Sequence, residues 1–76
     1  MQSVEQAMGE WREANEQAQR AEAELSQAWT LFCATKGPPV TEAMIRDAMG
    51  LREVALVKLE SALSLMARFS RRGHSP

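Results

Sequence analysis

A chain of 76 residues allows one domain and one small core. With 45% hydrophobic residues, 25% charged residues and a formal net charge of −1, it has the make-up of a small α protein, without a strong field to draw in nucleic acid or an anionic membrane. Its single cysteine, Cys33, excludes an intramolecular disulfide, and the absence of any Glu-x-x-His run excludes the ligand pattern of a di-iron bundle.

The first helix is expected over about 3–36. Ser3-Val4-Glu5-Gln6 fits a capping box, in which the serine hydroxyl accepts from the third helical N–H and Gln6 reaches back to the cap. From there the apolar residues keep a seven-residue period. One column reads Val4, Trp11, Ala18, Leu25 and Phe32; a second reads Ala7, Ala14, Ala21 and Ala28; a third reads Met8, Asn15, Glu22 and Trp29. The other columns are mostly Glu, Gln, Arg and Ser, as a solvated face requires.

Lys36-Gly37-Pro38-Pro39 ends this helix, with Gly37 suited to a left-handed residue after the last turn. Thr41 is the expected cap of the second helix, placed at 42–69. A short connection makes the two helices antiparallel neighbours. In the second helix Ala48, Ala55 and Ala62 again recur every seven residues. Beside them run Ile45, Arg52, Leu59 and Met66 on one side and Met49, Leu56 and Leu63 beyond. Residues 70–76 read as a flexible C-terminal tail.

Small residues at a heptad spacing let two helix axes approach closely. If the hairpin turns at Pro38 and Pro39, facing residue numbers sum to about 77. Leu59 then packs on Ala18, Trp11 on Met66, and Trp29 on Ala48 and Met49. This register also brings Glu22 near Arg52, the two charges that interrupt the stripe, as an ion pair able to fix the alignment.

Little in the sequence points to catalysis. His74 stands third from the end, and Cys33 has no histidine near it in the expected fold, so it reads as a half-buried structural cysteine. The carboxylates of the first helix read as solvated charge. The chain is therefore expected to be no enzyme, with no catalytic residue, cofactor or metal. Arg68, Arg71 and Arg72 cluster at the end of the second helix. They suit the negative helix terminus and give the alternative function, a small RNA- or DNA-binding regulator.

The second helix is too apolar for one facing helix to cover, and Met44, Leu51, Val54, Val57 and Leu65 extend its apolar arc beyond the alanine seam. These five are the expected partner or dimer interface. A lone hairpin of this length has little stability to spare. The expected fold is thus all-α: an antiparallel two-helix hairpin, a coiled coil that dimerises into a four-helix bundle. The expected function is a protein–protein interaction module (an adaptor, chaperone or regulator) acting as a homodimer, with a helical protein partner as the other candidate occupant. Nucleic acid and membrane are not expected partners. The N-terminus has neither the basic nor the apolar stretch of a signal peptide, which sets the expected location as cytoplasmic.

In seam pattern and length the two helices resemble the dimeric hairpins of the Rop family of plasmid RNA-binding proteins, and in size and shape the small hairpin co-chaperones of bacterial secretion systems. Both resemblances are of packing and carry no residue motif. The first implies dimerisation into a four-helix bundle.

Overall fold

The structure, a computed structural model, describes residues 2–34 and 37–73, with side chains as far as Ser70. Two helices, α1 (Val4–Cys33) and α2 (Glu42–Gly73), pack against each other, and no strand occurs among the described residues. They form a rod 64 Å long and 18 by 15 Å across.

Both helix starts follow from their caps. The Ser3 hydroxyl accepts from the Gln6 N–H at 3.1 Å, and the Ser3 N–H donates to the Gln6 side chain at 3.1 Å, completing the capping box. At α2 the Thr41 hydroxyl accepts from the Met44 N–H at 3.2 Å. The helix ends differ from the sequence expectation. α1 stops at Cys33, short of residue 36: Ala34 takes φ −81° and ψ 3°, and its N–H donates to the Thr30 carbonyl at 3.1 Å. α2 runs on past Phe69 to Gly73, because no glycine or proline interrupts Ser70 to Arg72. Thr35, Lys36 and the rest of the expected tail, 74–76, lie outside the described residues.

The connection therefore spans 34–41 and doubles back on α1. Gly37 does not take the left-handed conformation expected of it. A Cβ there would stand 3.1 Å from the Leu31 Cβ, tighter than ordinary van der Waals contact. The returning chain thus lies against α1 at Leu31, below its last residue, before α2 begins.

That fold-back sets the register. Across the hairpin Arg52 bonds Glu22 and Asn15, and Lys58 bonds Glu10. The paired numbers sum to 74, 67 and 68, centred near 70 rather than 77. The expected pairings of Leu59 with Ala18, Trp11 with Met66 and Trp29 with Met49 are displaced by about one heptad, roughly 10 Å along a helix. Trp29 and Met49 accordingly stay open to solvent.

The core is made of alanine. Among the described residues the buried hydrophobic ones are Ala7, Ala18, Ala48, Ala55 and Ala62, and no large side chain is fully buried. On α2 these are the three alanines of the heptad column, as the sequence indicates. On α1 the seam falls between two columns, so Ala7 and Ala18 are buried while Ala14, Ala21 and Ala28 are half-buried. Trp11, Leu25, Leu51, Leu59, Leu65 and Met66 lie half-buried. They extend the contact without being enclosed by it.

Candidate interaction surface

α2 faces α1 with its alanines and therefore turns a flank to each side of the seam. Each flank carries one long-range ion pair and one set of exposed apolar residues.

On the first flank the Lys58 ammonium donates to Glu10 Oε1 at 2.8 Å, and Glu10 is also joined by the Gln2 side-chain amide. The Lys58 hydrogen bond and charge hold the Glu10 carboxyl below its ordinary value. Three of the five expected interface residues, Val54, Val57 and Leu65, border depressions on this flank. Val57 borders one shallow depression with Leu65 and Arg68, and another with Val54 and Lys58. Val54, Val57 and Met44 are exposed, while Leu51 and Leu65 are half-buried. The apolar content here is broken up. Val54 shares its column with Asp47, Ser61 and Arg68, and Val57 shares its own with Gly50 and Ser64.

On the second flank Arg52 holds Glu22 with two hydrogen bonds, Nε to Oε2 at 2.9 Å and Nη2 to Oε1 at 2.7 Å, while Nη1 donates to Asn15 Oδ1 at 2.8 Å. Both charged side chains are part-buried between the helices. The Arg52 hydrogen bonds push the Glu22 carboxyl down and the guanidinium up. The expected pairing of these two residues is present, with Asn15 as a third member that the sequence did not single out. Around the pair, Ile45, Met49 and Leu56 border one depression with Leu25 and Ala48. Met49, Leu56 and Leu63 form an unbroken apolar run of one column, between Glu42 and Ser70 at its ends, and they are 66%, 50% and 53% exposed.

This column is what the sequence reading missed. Its seven-residue period places it, in the sequence, within the stripe that α1 is expected to cover. Alanine packing brings the axes close over a narrow contact, which leaves a column two positions from the seam uncovered. Toward the turn the same flank continues to Trp29, 57% exposed, whose ring lies 5.9 Å from that of Phe32 at a tilt of 44°.

The remaining expected residues contribute less. Cys33 is free and exposed rather than half-buried, because it belongs to the outer column of Glu5, Arg12, Gln19 and Ser26. Arg68 is exposed; the side chains of Arg71 and Arg72, and all of His74, lie outside the described residues. Among the described residues no group of three or more His, Cys, Asp or Glu is placed to hold a metal ion, and no helix is long and apolar enough to cross a membrane. No protein-family model, curated protein or solved structure matches the chain.

Proposed function

We propose that this protein is a non-enzymatic interaction module that acts as a homodimeric helical bundle, in the manner of a small adaptor, chaperone or regulator. The observation that carries this reading is the contrast between what the hairpin encloses and what it leaves open. Five alanines are buried, while Trp29, Met49, Val54, Leu56, Val57 and Leu63 are each about half or more exposed. An alanine contributes little apolar area on burial, so the intramolecular seam supplies a small share of the stability that a chain of this length needs. Pairing two hairpins would enclose the large side chains as well. Exposed contiguous apolar surface on a small polar-faced protein is otherwise a mark of an interaction site. Sedimentation equilibrium tests the reading: a particle of two chains supports it, and a folded, stable monomer at all accessible concentrations contradicts it.

A further inference from the structure

We infer that the self-association surface is the Glu22–Arg52 flank, centred on the column Met49, Leu56 and Leu63 and extended by Ile45 and Trp29, and that its occupant is the same flank of a second copy. This rests on the homodimer reading above and adds which of the two flanks does the work.

Three observations select it. The first is continuity. Met49, Leu56 and Leu63 repeat every seven residues with no polar residue between them in their column, whereas each column of the Glu10–Lys58 flank that holds an exposed valine also holds Ser with Asp, Arg or Gly. Two helices meeting along a seam need an unbroken heptad column, and only one exposed column of α2 provides it.

The second is area. Five large apolar side chains on this flank, Trp29, Ile45, Met49, Leu56 and Leu63, are 41% to 66% exposed. A standard interface buries about 800 Å² per partner, so these residues supply the apolar centre and their neighbours the rim. The exposed part of the other flank is two valines and Met44.

The third is charge. The ions inside this flank are already joined. Arg52 spends its donors on Glu22 and Asn15, so this pair is covered already joined; Glu53, which borders the same depression, is exposed and belongs to the rim. A symmetric contact of like surfaces is the commonest way that two identical chains associate.

The test is sedimentation equilibrium on the full chain and three variants, with helicity followed by circular dichroism. Leu56→Glu with Leu63→Glu should raise the dimer dissociation constant about thirtyfold or more. Val54→Glu with Val57→Glu, equal in charge and on the other flank, should raise it by no more than about threefold. Met49→Ala with Leu56→Ala, which keeps strong helix formers and adds no charge, should also weaken association, so the result does not hang on a charged variant that fails to fold. If the unmodified chain dimerises and the Leu56/Leu63 and Met49/Leu56 variants dimerise as well as it does, this placement of the interface is wrong and the homodimer reading survives. Dissociation by the Val54/Val57 variant alone overturns the placement in favour of the other flank. A monomeric unmodified chain overturns both.

Discussion

Arg52 grips Glu22 through both Nε and Nη2 and still reaches Asn15, one heptad away on the same face of α1. It is the only described side chain that bonds two residues of the opposite helix. It stands between two positions that a slip of seven would interchange. The buried residues of both helices are alanines, and alanine cannot distinguish one register from the next. We therefore expect Arg52→Leu to leave the helices formed and the alignment loosened. Spin labels on Glu10→Cys and Lys58→Cys, with Cys33→Ser, should report one distance in the parent and a broadened or doubled distribution with Arg52→Leu. A single unchanged distance would remove Arg52 from the register account.

Acid should weaken the hairpin in a defined window. Glu22 and Glu10 are held below their ordinary value of 4.5, in each case chiefly by the hydrogen bond from the basic partner, Arg52 or Lys58. A carboxyl whose value is depressed on folding stabilises the folded state above its unfolded value, and that stabilisation is lost as pH falls through the folded value. The melting temperature should hold from neutrality to about pH 5 and then decline. Glu10→Gln with Glu22→Gln should start lower and lose less on acidification; an acid decline as steep as the parent's would show that the two pairs do not contribute.

Overpacking separates the buried alanines from the half-buried ones. Ala18 and Ala55 have no exposed surface, so Ala18→Leu or Ala55→Leu should destabilise by about 1–3 kcal/mol. Ala21, which is half-buried, should tolerate leucine better although it belongs to the more regular alanine column. Urea unfolding of the three variants decides it. Equal losses at Ala18 and Ala21 would show the two positions equally enclosed and contradict the observed difference in burial.

Helix type, both N-caps and the identity of the seam were legible in the sequence because each rests on local chemistry or on the seven-residue period. The register was not. A period of seven is blind to a slip of seven, so the columns that face each other are the same whether the numbers sum to 77 or to 70. The deciding contact is the approach of Gly37 to Leu31, and nothing in the turn sequence distinguishes a glycine needed for backbone freedom from one needed for space. Glu22 and Arg52 were recognisable as a pair because they are the two opposite charges that interrupt the stripe.

The surface was legible by half. Val54 and Val57 stand outside any seam and could be recognised as uncovered. Met49, Leu56 and Leu63 belong to a regular column and look like core. They are exposed because the alanines draw the helices so close that α1 cannot reach around to cover them. The small residues that make the intramolecular contact tight are thus also what leaves the larger ones open.

The central claim, that a second copy completes this hairpin, is tested most directly by sedimentation equilibrium run together with thermal melting over about a hundredfold range of concentration. Folding coupled to association makes the melting temperature rise with concentration by mass action. We expect a mass of two chains that falls toward one only on dilution, with melting temperature and helicity falling alongside it. A mass of one chain with a concentration-independent melt would show that the alanine seam suffices alone, and would contradict the account.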